Sequence, residues 1–464
     1  IKTYGSIKNL TNISTAYIKE FVMSSKYLVV NPTKNIRHIA FIPSSKPETQ
    51  RAIIAATLST GESIIYNDLR CLETDTMKIA CRKLGAKIIE EQGYLVVHGI
   101  GGDIMSDKEV IDALGSGLVF RVMAAITCFS RVPTVITGDS TLRTRIMEPL
   151  LHALNCLGGN ISSIYMDGKA PIINWGGYDG GECEIDGNIS SQFITALLFA
   201  APLAKKNTKI KIKGEILSLS YIKQTLEVMS VAGIQYQHSD DYSEITVLPG
   251  EYKSAEYIIT GDYTSCSYIV AATTLFPCDV VLKNINSKSI QGEKAILTIA
   301  EKLGLEIIHN DDDNELHLIN RKGRLSADLE FDAGNCPNIV PTLAALGIYI
   351  DGTLRVTGGA ITRFHKSPRI EAMVNELLKL GVDIKPLFKN KVYDGFEITG
   401  ASTYRGNCTF SSWGDHRIFM SLFVASLRCQ HANKLDGYED VHCSFPDFFR
   451  EFKQLGVTFY EEEI

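Results

Sequence analysis

The sequence predicts an α/β protein built by sixfold repetition of one unit of about 75 residues, and two observations predict it. A short phrase, a helical run followed by a glycine and then a β-like segment, recurs six times, with successive glycines 73, 75, 71, 77 and 75 residues apart. The 464 residues are 45% apolar, enough to bury large cores in two domains or more. Spacing this constant points to repetition rather than to a single doubly wound sheet.

In order, the phrases are "RKLGAKII" at Gly85, "NCLGGNIS" at Gly158, "SVAGIQYQ" at Gly233, "EKLGLEII" at Gly304, "LKLGVDIK" at Gly381 and "KQLGVTFY" at Gly456. Each reads as a helix closed by a glycine in the left-handed C-cap conformation, followed by a strand of β-branched or aromatic residues. A unit of this length holds about two helices and three or four short strands.

Composition excludes several classes of function. The net charge is −6 and there is no basic run, so nucleic acid is not an expected partner. The longest apolar stretch, "FITALLFAAPLA" at 193–204, is too short to span a bilayer, so no membrane association is expected. Eleven cysteines are scattered singly, without a C-x-x-C pair or zinc-ligand spacing; this predicts reduced thiols, a cytoplasmic location and no metal. The chain opens on Ile1 and its first methionine is Met23, so residues 1–22 are read as an N-terminal extension or as a linker from a larger polypeptide.

Between the repeats lie phrases with one theme. "SSKPETQRAIIAATL" (44–58), "GDSTLRTRIMEPLLHALNCLG" (138–158), "GNISSQFITALLFAAPLA" (187–204), "RFHKSPRIEAMVNELLKLG" (363–381) and "GDHRIFM" (414–420) put Arg, Lys, Ser or Gln at turns before apolar helices. Free backbone N–H groups and the positive end of the helix dipole favour anions there. Lys46 and Arg51 are expected to precede the "AIIAATL" helix, and Ser190, Ser191 and Gln192 to precede "FITALLFAA". Arg51, Arg145, Arg369 and Arg417 suit bidentate contacts to carboxylate or phosphate. Singly, Ser190 reads as a helix cap, Lys46 or Arg145 as a solvated charge, and His416 as a histidine held by its neighbours. The set, rather than any member, points to an enzyme handling two multiply charged anions.

From about Tyr27 to the end, these motifs in their order resemble the 5-enolpyruvylshikimate-3-phosphate synthase family. The resemblance implies a two-domain enolpyruvyl transferase fold of six βαβαββ units, three per domain, with the active site in the interdomain cleft. It implies one lobe over 46–261 and a second from 23–45 plus 262–464. It implies transfer of the enolpyruvyl group of phosphoenolpyruvate to the hydroxyl of shikimate 3-phosphate or a close analogue, with release of phosphate and without a cofactor. Lys46, Arg145, Arg369, Arg417 and Gln192 would hold phosphoenolpyruvate. Ser190 and Ser191 would hold the acceptor phosphate, and Arg51, Ser218 and Tyr221 the acceptor carboxylate.

The departures fall on the catalytic positions, for which the resemblance singles out Lys46, Asn338, His365, Lys366 and His416. Pro47 replaces a serine of the family pattern, Gly115 and Leu118 an asparagine and a threonine, Asn338 an aspartate, His365 and Lys366 a Lys-Glu pair, and Cys443 a lysine. An amide takes no proton at neutral pH, so Asn338 cannot be the base. His365, with an ordinary pKa near neutrality, is the expected substitute, and Lys366 a phosphate or proton donor. Two alternatives stay open: an enolpyruvyl transferase-like enzyme with a different phosphorylated acceptor in a specialised pathway, and a non-catalytic anion-binding homologue.

Overall fold

The computed structural model describes residues 26–105, 110–321 and 325–463. The segment 1–22, read above as an extension or linker, lies outside the described residues.

One unit shows how local sequence makes the repeat. Strand Gly181–Asp186 runs into helix Ser191–Ala200, whose return places Thr208–Lys213 parallel to the first strand. Helix Leu219–Val231 then ends at Gly233, and Tyr236–His238 and Glu244–Val247 close the sheet as an antiparallel hairpin. The parallel pair needs the helical crossover and the hairpin does not, which fixes the order βαβαββ. Five further four-stranded sheets repeat the pattern of one parallel and two antiparallel pairings. All six phrase glycines have positive φ, from +77° at Gly233 to +110° at Gly85, as a left-handed C-cap requires.

Three sheets are completed by strands from far along the chain. Glu256–Ile258 joins the sheet of residues 62–98, and Ile36–Phe41 joins that of 278–320. Lys26–Val30 pairs with both Asn433–Leu435 and Phe459–Glu463. The N-terminal region therefore supplies two strands to two sheets.

Buried apolar side chains form two clusters. One runs from Ala52 to Ile259; the other joins Leu28–Ile42 to residues from Tyr263 to Val457. The chain crosses between them twice, side by side: Ser45 N–H donates to the Thr260 carbonyl (2.7 Å) and Asp262 N–H to that of Pro43 (2.8 Å). Gly261 is required there, since a Cβ would lie 1.9 Å from the Asn284 carbonyl oxygen. Among the described residues no helix is long and apolar enough to cross a membrane.

Candidate active site

Helix starts deliver most of the site. Ser45 caps Lys46–Leu58, Ser190 caps Ser191–Ala200 through Gln192 N–H (3.3 Å), and Asp415 caps His416–Ser426 through Arg417 N–H (2.9 Å). Helix Arg369–Leu378 begins at Arg369 itself. The expectation that Lys46 and Arg51 precede their helix is corrected: Lys46 is its first residue and Arg51 lies in its second turn; likewise Ser191 and Gln192 are the first two residues of theirs, and only Ser190 precedes it. Pro47, well suited to a first turn, lets the helix begin that early.

These starts converge on a cavity of about 480 Å³, lined by residues between 46 and 221 on one side and between 337 and 417 on the other. It is lined by all fourteen residues singled out from sequence: Lys46, Arg51, Arg145, Ser190, Ser191, Gln192, Ser218, Tyr221, Asn338, His365, Lys366, Arg369, His416 and Arg417. Eight cationic side chains line it, with Arg121 and Arg363 making up the number, against one carboxylate, Glu73. That imbalance makes it a site for anions.

On the wall from residues 46–261, Lys46 pairs with Glu73 at 3.0 Å. Arg51 is fully buried, donating to Thr225 Oγ1 (2.9 Å), the Pro47 carbonyl (3.0 Å), the Tyr221 carbonyl (3.2 Å) and Thr195 Oγ1 (3.4 Å). Four of its five N–H groups are engaged inside the protein; burial lowers its pKa to about 10. Arg121, absent from the sequence reading, is also buried; it donates to Gln192 Oε1 (2.6 Å), lies over the Phe193 ring and leaves its Nε without a partner. Burial, followed by the neighbouring Arg145, lowers Arg121 to about 9. A lone arginine inside the apolar helix "GLVFRVMAAI" was the signal that could have found it. Gly117 gives Arg121 its space, because a Cβ there would lie 2.3 Å from Arg121 Nη1 and 3.1 Å from Arg145 Nη1. Among the described residues Arg121 and Arg145 form no ion pair.

The opposite wall is more tightly tied. Arg369 donates from Nε to Asp415 Oδ2 (2.8 Å) and from Nη1 to Asn338 Oδ1 and His365 Nδ1 (both 2.9 Å). Burial alone would raise the Asp415 carboxyl, but Arg369 and His416 outweigh it and hold Asp415 far below the carboxylate range. Lys366 pairs with Asp440 at 3.1 Å. Arg417 is buried beside Tyr268, Tyr221 and Asp262, which outweigh desolvation and keep it charged. His416 is buried with neither ring nitrogen hydrogen-bonded, and burial holds its pKa well below the ordinary value. Cys443 does not line the cavity; burial raises its thiol, so it carries no charge in place of a lysine.

The expectation that His365 acts as the base meets a physical obstacle. Its Nδ1 lone pair accepts from Arg369, and burial, then Arg369, push its pKa well below the ordinary histidine value. The ring is therefore a neutral imidazole with its proton on Nε2, a donor toward the cavity rather than an acceptor. Asn338 is likewise fixed: its amide donates to Tyr221 Oη (2.6 Å) and to Glu293 Oε1 (3.1 Å).

Six repeated units and a cation-lined cavity drawn from both halves of the chain define a protein suited to small polyanions. The EPSP synthase (3-phosphoshikimate 1-carboxyvinyltransferase) family profile matches residues 30–452. A 3-phosphoshikimate 1-carboxyvinyltransferase of Methanosarcina acetivorans is 37% identical over 427 residues, covering 91% of this chain and 96% of the relative. That of Methanocaldococcus jannaschii is 34% identical over 443 residues, covering 93% and 98%. An EPSP synthase structure from Acinetobacter baumannii superposes with a TM-score of 0.79 at 21% identity, covering 95% of this chain and all of that one. The chain belongs to the EPSP synthase family, and its fold is the two-domain enolpyruvyl transferase fold.

Proposed function

We propose that the chain transfers the enolpyruvyl group of phosphoenolpyruvate to the hydroxyl of shikimate 3-phosphate, releasing phosphate. The observation that carries the reading is the eight-to-one excess of cations over carboxylates lining one cavity, in a chain of this family. Two phosphates and two carboxylates are what such a lining neutralises. The curated relatives carry the name of this activity, and substrate anions, together with free thiols on all eleven cysteines, fit the cytoplasm.

Lys46, Arg145, Arg417 and the unused edge of Arg369 hold phosphoenolpyruvate, with Gln192 between the two ligands. Ser190 and Ser191 take the acceptor phosphate at the start of their helix, where backbone N–H groups add to the hydroxyls. Arg51, through its remaining Nη1 hydrogen, and Ser218 take the acceptor carboxylate, whereas Tyr221, whose one proton is donated to Glu293 (2.7 Å), does not donate to it as the resemblance implied. The neutral His365 donates from Nε2 to the acceptor, and Lys366 and His416 complete the donor set. Lys46, held by Glu73, gives a proton to the methylene carbon as the acceptor oxygen bonds to the neighbouring carbon. Lys46 takes back a methyl proton as phosphate leaves. The two apolar clusters are the cores of two lobes, 46–261 and 23–45 plus 262–464, whose closure expels water and strengthens these contacts.

The test is to titrate shikimate 3-phosphate and phosphoenolpyruvate singly and together and to assay phosphate release. Release requiring both is expected. Binding of both without release would leave an anion-binding homologue, and release with another phosphorylated acceptor alone would reassign the substrate.

A further inference from the structure

Glu293 is a carboxylate that the sequence reading passed over. It lies on the short helical segment Gly292–Lys294, 1% exposed, directly behind the cavity wall. Its Oε1 accepts from Tyr221 Oη at 2.7 Å and from the Asn338 amide at 3.1 Å. Both donors line the cavity, and Asn338 holds the position at which the family resemblance leads to an aspartate. Tyr221 Oη donates its proton to Glu293 and accepts one hydrogen bond from Asn338 (2.6 Å), which leaves it one lone pair for a hydroxyl in the cavity. An aspartate at 338 would set two carboxylates about 3 Å apart, which cannot both ionise. The amide at 338 and the carboxylate at 293 are thus complementary.

We propose that Glu293 is the proton-accepting end of a relay from the acceptor hydroxyl through Tyr221, in the role an aspartate at 338 would fill. The inference rests on the enolpyruvyl-transfer reading. As the acceptor oxygen bonds to phosphoenolpyruvate, its proton passes to Tyr221 Oη while the tyrosine proton passes to Glu293 Oε1. Tyr221 ends neutral and Glu293 ends as the acid, which returns its proton to solvent by the same path after phosphate leaves. Glu293 acts through Tyr221 and is a positioning residue, not a substrate contact. The ionisable groups facing it are Tyr221, Asp262 and Cys336, with Arg417 beyond Tyr221; no cation pairs with it among the described residues. Burial first, and then Asp262, raise its pKa above the ordinary carboxylate value, which strengthens it as a base.

The experiment is steady-state phosphate release by the full chain with both substrates across a pH series. Glu293→Gln keeps the volume and the acceptor oxygen but takes no proton. It is expected to lower kcat by about 100-fold or more, with both KM values within about threefold, and to abolish the acidic limb of the kcat profile. Adding Asn338→Asp to Glu293→Gln is expected to recover about tenfold or more, as a replaced base would and a replaced packing group would not. Tyr221→Phe, which leaves Glu293 intact, is expected to show the same loss of kcat and serves if Glu293→Gln fails to fold. A kcat within about threefold of the parent in either single variant overturns the relay, as does a loss in Glu293→Gln that Asn338→Asp does not recover. An unaltered chain that releases no phosphate sinks the enolpyruvyl reading and the relay with it, which separates the two failures.

Discussion

The two walls of the cavity hold similar numbers of cations and treat them differently. On the wall from residues 46–261, Arg121 and Arg145 face the cavity without ion pairs, and Lys46 alone is held by a carboxylate. On the wall from 262–463, Arg369 is bound to Asp415 and Lys366 to Asp440, leaving Arg363 and Arg417 without an ion pair among the described residues. Unpaired buried charge is costly, and an incoming anion relieves it; paired charge is already satisfied and serves to fix its neighbours. On the proposed function, the first wall serves to bind and the second to hold Asn338, His365 and Tyr221 in register for proton movement.

The largest effect expected from breaking this contrast is on the tied wall. Asp415→Ala strands Arg369 as a buried unpaired charge and uncaps His416–Ser426, so it should cost about 3–5 kcal/mol of unfolding free energy in urea titration. Arg121→Met should do the reverse in the ligand-free protein, leaving stability unchanged or higher. The same variant should raise KM for phosphoenolpyruvate about 10- to 100-fold, the scale of a lost hydrogen bond to a charged group.

A smaller effect, confined to the wall from 262–463, comes from pH. His365 and His416 are neutral in the fold, with pKa values well below the ordinary 6.5, so the unfolded chain binds protons first as pH falls. Their stabilisation is fully present above pH 6.5 and is lost below it, by up to about 1.4 kcal/mol per pH unit for each histidine. His416→Asn should flatten the stability profile below that pH, followed by thermal unfolding. The smallest change expected is Ser190→Ala, about 1 kcal/mol from the lost cap, read by the same scan.

What was legible in the sequence was local. The C-cap glycines and the polar turns before apolar helices are written within a few residues, so the six units and nine of the fourteen expected lining residues could be read from local pattern, while Ser218, Tyr221, Asn338, His365 and Lys366 came with the family resemblance. What was missed depends on contacts across the chain. Glu293 meets Tyr221 from 72 residues away and Asn338 from 45, and nothing beside Glu293 announces either contact. Arg369 meets Asp415 across 46 residues, and with it comes the hydrogen bond that turns His365 from a base into a donor. Intrinsic pKa misled at His365 because burial and the adjacent guanidinium outweigh it.

The most direct test of the division between walls is to measure kcat and KM for phosphate release in Arg145→Ala and Glu293→Gln side by side. Arg145→Ala is expected to raise KM for phosphoenolpyruvate by about tenfold or more with kcat reduced far less, while Glu293→Gln is expected to lower kcat with KM nearly unchanged. Loss of the same parameter in both variants would contradict that division.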